Sequence, residues 1–270
     1  MFFVSSAIII FAYGRTLKRY AYWPLFAAFV LFAKFFLMSF VYVRQEVAMA
    51  VLCFSIPAIV RRQPVRFALF MLVAFSFHKS ALIFAPVYFV GYRRFTNVQI
   101  VYLSILFLVL ALSPLGSAIQ SLAAENIDDG KVNAYLQLSG GLNLFYVAEA
   151  VLILGLAMAL RKRFYGYKET TLFFNGMFMY AVIVLMSAAN ATFVRFSWYY
   201  LIFLALALSY TVVFLRPARR LLFNGIAVVY FSALFLRLML LFDDGDFMPY
   251  KSIFQDFDRK GRWEFMEYRR

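Results

Sequence analysis

Apolar runs of roughly 17–20 residues recur along this chain, and the breaks between them are short and rich in arginine and lysine. A helix rises about 1.5 Å per residue, so runs of that length match a hydrocarbon core about 30 Å thick. The pattern predicts helical spans at residues 2–13, 22–41, 45–60, 98–114, 142–160, 171–190, 197–215 and 221–242. Composition agrees: 65% of the 270 residues are hydrophobic, 35 are Phe, and the mean hydropathy is +0.80. A water-soluble domain of this length would need a polar exterior that these residues cannot supply. The expected fold is all-α, a polytopic transmembrane helical bundle forming one domain over residues 1–242, with a tail over 243–270 on the outer side.

A net charge of +14 would suggest nucleic acid in a soluble chain, but its distribution says otherwise. The clusters are Arg15/Lys18/Arg19, Arg61/Arg62/Arg66, Arg93/Arg94, Arg161/Lys162/Arg163/Lys168 and Arg216/Arg219/Arg220, all in short loops. That is the positive-inside pattern that orients membrane helices. A polyanion-binding face would be one continuous patch, so no nucleic-acid partner is expected.

Residues 67–92 decide the topology. Counted as one crossing, they would put the clusters at 93–94, 161–168 and 216–220 on the outside. Counted as two short helices, 67–77 and 80–91, they put all five clusters on the cytoplasmic side, which is the preferred arrangement. Each arm would reach about 17 Å, too short to cross the hydrocarbon. The turn would then fall at His78-Lys79, within the membrane's thickness, and His78 is the single histidine of the chain. Non-helical backbone at that depth persists only where protein covers it or water reaches it. His78 is therefore expected at the tip of a re-entrant hairpin over residues 67–91, lining a polar cavity. The alternative is two crossings of a thinned bilayer with an interfacial His.

The outer side is acidic. The longest loop, 115–141, carries Glu125, Asp128 and Asp129 against Lys131, and Asp243, Asp244 and Asp246 follow the last span. A loop of that length suits a lid or binding loop, while acidic outer loops also follow from keeping basic residues inside.

Two arginines break the sorting: Arg44 in "FVYVRQEVAMA" and Arg195 in "NATFVRFSWYY", both near outer helix ends. Arginine at such depth is costly and usually faces a cavity, and its planar fork fits phosphate oxygens. Snorkelling into the headgroups is the competing explanation for each. Taken with His78 and Lys79 at similar depth, they point to a shared anion site. Phe193, Phe196, Trp198, Tyr199 and Tyr200 around Arg195 could stack on sugar rings or sit in an aromatic interface belt. Lys34 and Arg237 lie inside spans and are expected to pair or snorkel, and Glu46 and Glu149 are the carboxylates nearest the expected cavity.

One His and one Cys, Cys53, leave no ligand set for a Cys/His metal site and no intrachain disulfide. Asp243-Asp244-Gly245-Asp246 lacks the full calcium-loop pattern, and the glycine-rich phosphate loops and the GxSxG nucleophile motif are absent. No metal and no cofactor are expected.

The run Val43 to Val90 carries Arg44-Gln45 opening a helix, the basic loop Arg61-Arg62, and then Phe77-His78-Lys79-Ser80-Ala81. This order resembles the core of the EpsG-like exopolysaccharide polymerases, relatives of the Wzy-type polymerases. Weaker matches are a Tyr-bearing outer loop (Tyr135), an Arg before an aromatic helix start (Arg195 with Tyr199 and Tyr200), and "MPYKSIF" with Tyr250 near the end. The resemblance implies an integral-membrane glycosyltransferase with a GT-C-type helical fold. Its donor and acceptor would be oligosaccharide repeats on undecaprenyl pyrophosphate, joined at the outer face of the bacterial inner membrane beside other polysaccharide-assembly proteins. It also implies further N-terminal spans with an acidic Glu-Pro-Gly-like segment. This chain opens instead on a short apolar run, so a member truncated or degenerate at that end is expected.

The implied chemistry is metal-free glycosyl transfer. Arg44 and Arg195, with Lys79 assisting, would neutralise the departing pyrophosphate. His78 would act as general base toward the acceptor hydroxyl or as a hydrogen-bond donor to phosphate. Gln45, Ser80, Tyr135, Tyr199, Tyr200 and Tyr250 are the expected substrate contacts. A transporter or flippase of lipid-linked sugars, needing the same cationic cavity without a base, and a non-catalytic membrane component of the assembly are the rival classes.

Overall fold

The structure is a computed structural model that describes residues 2–114, 143–189 and 193–241, and among these there is no strand. The helices are α1 (Phe2–Tyr20), α2 (Pro24–Ser39), α3 (Val43–Val60), α4 (Pro64–Phe77), α5 (Pro86–Val90) and α6 (Asn97–Leu112), followed by α7 (Leu144–Phe164), α8 (Lys168–Ser187), α9 (Val194–Phe214) and α10 (Pro217–Leu241). A six-residue 3-10 stretch, Lys79–Phe84, precedes α5, and a 3-10 turn, Trp198–Tyr200, interrupts α9. Helices α3, α7, α8, α9 and α10 are long and apolar enough to cross a membrane; α2, α4, α6 and the segment Lys79–Val90 are shorter. The chain is thus an all-α polytopic bundle.

Helix starts follow local chemistry more than hydropathy. Proline opens α2, α4, α5 and α10, where its missing N–H is one that helix starts leave unpaired anyway. Thr96 caps α6 reciprocally with Gln99, its side chain accepting from the Gln99 N–H at 3.2 Å while Gln99 Oε1 accepts from the Thr96 N–H at 2.9 Å. Helix α1 runs past the apolar segment ending at Tyr13 and continues to Tyr20, because Arg15, Lys18 and Arg19 are compatible with helix and favourable at its C-terminal end.

The core axis is α8 beside α9, both buried along nearly their whole length, whereas α7 and α10 turn much of their surface outward. Around them, all five basic clusters gather at one end of the bundle. Tyr20, next to the first cluster, meets Phe173 near the start of α8 with ring centres 6.0 Å apart. The Arg62 guanidinium lies 4.3 Å from the Tyr92 ring centre, and Arg94 donates to the Tyr165 carbonyl at 3.3 Å. Arg161 donates to the Phe95 carbonyl at 2.8 Å, and Phe164 packs on Phe214 just before the last cluster. Residues between the second and third clusters therefore enter from the basic end and return to it, as the hairpin arrangement requires.

The hairpin differs slightly from expectation. Its first arm starts at Pro64, giving a 14-residue α4 that reaches about 21 Å, still short of a 30 Å core. Its return is pinned from α8: the Asn175 amide donates to the carbonyls of Val90 and Arg93 at 2.7 and 2.8 Å. Higher up, Phe203 of α9 stacks on Phe84 of the return arm with ring centres 5.7 Å apart and planes 9° apart.

That stack depends on one glycine. A Cβ on Gly176 would sit 2.3 Å from the Phe203 ring, so α8 and α9 approach closely only because Gly176 has no side chain. Gly176→Ala is expected to push Phe203 and, through Phe84, the hairpin. Thermal unfolding of the detergent-solubilised protein should show a loss of about 1–3 kcal/mol, the usual magnitude of core overpacking. An unchanged midpoint would mean that the α8–α9 contact yields without strain.

Candidate functional site

The site begins at a break in the helix. His78 adopts extended backbone, φ −153° and ψ 119°, while its N–H still donates to the Ala74 carbonyl at 3.0 Å. Its own carbonyl accepts from Ala81 N–H at 3.0 Å, opening the 3-10 stretch. The turn leaves Lys79 exposed and rotates Ser80 inward, where it is buried. Ser80 Oγ lies 2.6 Å from His78 Nδ1 and 2.9 Å from the Tyr199 hydroxyl, which is itself 3.3 Å from Nδ1. One residue on, the Tyr200 hydroxyl donates to the Ile83 carbonyl at 2.7 Å. Both tyrosines come from the 3-10 turn of α9, which presents two adjacent phenols to the hairpin.

A second layer sits one turn nearer the end. Arg195 precedes Tyr199 by four residues, placing it on a similar helix face about 6 Å higher. The Gln45 amide donates to the Arg195 carbonyl at 2.8 Å, tying the first turn of α3 to the start of α9. The Arg195 guanidinium lies 4.4 Å from the Tyr42 ring centre, close enough for cation–π attraction. Tyr42 in turn meets Trp198 at 5.3 Å, and Trp198 meets Phe35 at 4.9 Å. Arg44 belongs to the first turn of α3, and it is exposed beside the buried pair Gln45 and Glu46.

Of the residues singled out in the sequence, His78, Ser80, Tyr199, Gln45 and Arg195 thus occupy one end of the bundle in two adjoining layers, with Arg44 and Lys79 exposed at their edge. Tyr200 is wholly buried, and its hydroxyl is engaged by the hairpin backbone. Trp198 is buried between Phe35 and Tyr42 and is not part of an interface belt. Tyr135 and Tyr250 lie outside the described residues. Tyr42, which sequence reasoning passed over, is the platform for Arg195; its only sequence signal is its place two residues before Arg44.

Lys34 pairs with Glu149, an ion pair between α2 and α7, and the Tyr180 hydroxyl of α8 donates to the same carboxylate at 2.7 Å. The ammonium also lies 5.5 Å from the Tyr180 ring centre. Arg237 stacks over Phe145 at 4.6 Å. Glu149 is therefore engaged in holding helices together. Lys34→Met strands a buried carboxylate and is expected to destabilise the bundle by about 3–5 kcal/mol, whereas Lys34→Met combined with Glu149→Gln should cost much less. Unfolding midpoints of these two variants and of Glu149→Gln alone decide it; a double loss equal to the sum of the single losses would show that the pair is not coupled.

A family model described as the EpsG family matches residues 1–252, which include both layers of the site. No curated protein and no solved structure matches the chain. The matched stretch takes in Arg44-Gln45, the basic loop and the hairpin whose tip carries His78. The chain belongs to the EpsG family, and so, at family level, to the exopolysaccharide-related polymerases.

Proposed function

We propose that the protein lengthens an exopolysaccharide, capsule or O-antigen chain by joining oligosaccharide repeats carried on undecaprenyl pyrophosphate at the outer face of the bacterial inner membrane. The family supports the polymerase class, and the positive-inside rule directs the hairpin tip outward. The observation that carries the reading is the His78–Ser80–Tyr199 cluster at the tip of a re-entrant hairpin, one turn below Arg195. Cationic and hydrogen-bonding groups at that depth suit a pyrophosphate whose lipid stays in the bilayer. The all-helical frame is compatible with the GT-C-type transferase that the resemblance implies.

In the transfer, the acceptor hydroxyl oxygen bonds to the anomeric carbon of the donor. The bond from that carbon to the pyrophosphate oxygen breaks, its electron pair staying on the pyrophosphate. Negative charge grows on the leaving group, and Arg195 and Arg44, with Lys79 from the tip, offset it. This is the work a metal ion does elsewhere, so no metal is assigned.

Counting protons supports a donor role for His78. Tyr199 and Ser80 carry one hydroxyl proton each, and the hydroxyls are in contact with each other and with Nδ1. Tyr199 donating to Ser80, and Ser80 donating to Nδ1, gives every proton an acceptor. A proton on Nδ1 would leave one of the two hydroxyl protons without an acceptor inside the cluster, which is costly in a buried site. The ring proton then resides on Nε2, and His78 acts as a fixed donor to a phosphate oxygen rather than as a base. The acceptor's proton passes to an oxygen of the departing pyrophosphate. Ser80, Tyr199 and Tyr200 become positioning residues, and sugar contacts fall to the outer loop and tail, with Tyr135 and Tyr250.

Removing one preorganised donor to a developing anion typically lowers rates about 10²–10³-fold. His78→Ala should lower polymer yield on that scale while single lipid-linked repeats accumulate on the outer leaflet. His78→Gln, whose amide can donate but is no base, should recover part of the activity. Purified protein with lipid-linked repeat, read by polymer length, is the assay. A His78→Gln enzyme as inactive as His78→Ala would contradict the donor role, and repeats trapped on the inner leaflet would favour a flippase.

A further inference from the structure

At the end of the bundle opposite the hairpin tip, a cleft of about 300 Å³ is lined by Arg62, Tyr92, Arg94, Tyr167, Lys168 and Thr171 among others. We infer that this cleft is a phosphate-binding site, for an anionic phospholipid headgroup or a soluble phosphorylated ligand reaching the basic face. It is separate from the proposed transfer site and does not depend on it.

Three cations from three segments converge there: Arg62 after α3, Arg94 before α6, and Lys168 at the start of α8. Among the described residues none of them forms an ion pair, in contrast to Lys34 with Glu149. Orientation in the membrane requires basic residues somewhere in these loops and nothing more. Arg62 shows more than that. Its φ of 56° is the left-handed conformation, which side-chain-bearing residues adopt at a cost, and no other described non-glycine residue has a positive φ.

The strained backbone holds the Arg62 guanidinium 4.3 Å from the Tyr92 ring centre and 5.9 Å from that of Tyr88, with one N–H donated to the Tyr88 carbonyl at 3.0 Å. Arg94 is similarly held by the Tyr165 carbonyl at 3.3 Å. A guanidinium carries five N–H groups in a planar fork, so one backbone contact orients each arginine while keeping most of its donors for an anion.

Tyr92 supplies a further observation. Its hydroxyl is buried and has no hydrogen-bond partner among the described residues, an arrangement that native interiors seldom keep without reason. Burial pushes this phenol up to about 12 despite the neighbouring Arg62, and Glu169, Tyr20 and Tyr88 push in the same direction. It therefore stays protonated, a neutral phenol that adds no negative charge beside the three cations. The volume suits a headgroup and is at the small end of pockets that hold whole organic ligands. The carboxylate in this neighbourhood, Glu169, is exposed beside Lys168 and is not part of the lining.

The test uses the full chain in nanodiscs of zwitterionic lipid, titrated with inorganic phosphate or prepared with increasing phosphatidylglycerol. Retained phospholipid is read by native mass spectrometry, and stabilisation by the shift of the unfolding midpoint. The cleft variant is Arg62→Asn with Lys168→Gln; asparagine accepts the left-handed backbone, so the loop keeps its shape. The control, Arg216→Gln with Arg219→Gln, removes the same charge from the same face. Wild type and control should respond alike, and the cleft variant should need about tenfold more probe for the same response. A response to inorganic phosphate alone identifies a soluble ligand, and a response to phosphatidylglycerol alone identifies the headgroup; either supports the site. Equal weakening in both variants would reduce the effect to diffuse surface charge and overturn the proposal, as would no response from wild type.

Discussion

A chain that leaves the helix inside a membrane has to find its backbone hydrogen bonds in protein, since hydrocarbon offers none. The turn at His78 imposes that demand, and much of the bundle is arranged to meet it. The freed carbonyl of Ile83 is taken by the Tyr200 hydroxyl, and the polar side chains of the turn are closed by Tyr199. Those phenols can reach because α9 lies directly against the hairpin, and α9 is held there by its close approach to α8 at Gly176. The basic end closes the same circuit from below, where Asn175 of α8 takes the last carbonyls of the returning arm. Helices α8 and α9 are thus core elements because they supply what a broken helix cannot supply for itself.

Charge divides the molecule a second time. At the basic end, guanidinium groups are turned onto aromatic rings and backbone carbonyls, which keeps them ordered without neutralising them. At the other end, charge within the bundle is handled individually. Lys34 and Glu149 cancel each other under a tyrosine hydroxyl, while Arg195 rests on Tyr42 with its backbone tied by Gln45. The ion pair sets helix against helix, whereas Arg195 stands above the cluster that the hairpin delivers. In the proposed transfer, these are the cation and the imidazole that a phosphate-bearing substrate would meet at this end.

The hairpin was legible in the sequence because it follows from arithmetic: five basic clusters share one side only if residues 67–91 go in and come back. Arg44-Gln45, Arg195 and His78 could be singled out because each is a polar exception in an apolar context. Their partners could not. His78 meets Tyr199 across 121 positions, and Lys34 meets Glu149 across 115, and hydropathy records which residues are buried without recording against what. The same blindness misdirected Tyr200 and Trp198, which look like sugar platforms or interface residues and are instead interior supports. Span boundaries slipped where helix continues through charged residues, as α1 does to Tyr20, since the end of an apolar run marks the hydrocarbon edge and not the helix end.

The central claim is that the hairpin tip fixes His78 as a donor through Nε2, with Nδ1 accepting from Ser80. Because the chain contains one histidine, 15N-histidine labelling of the purified protein gives a single imidazole whose two nitrogens report the tautomer directly by NMR. An unprotonated Nδ1 and a protonated Nε2 are expected near neutral pH, with that preference kept in Ser80→Ala, where the Tyr199 hydroxyl still reaches Nδ1, and lost when Tyr199→Phe is added. A resting imidazole protonated on Nδ1 would contradict the claim.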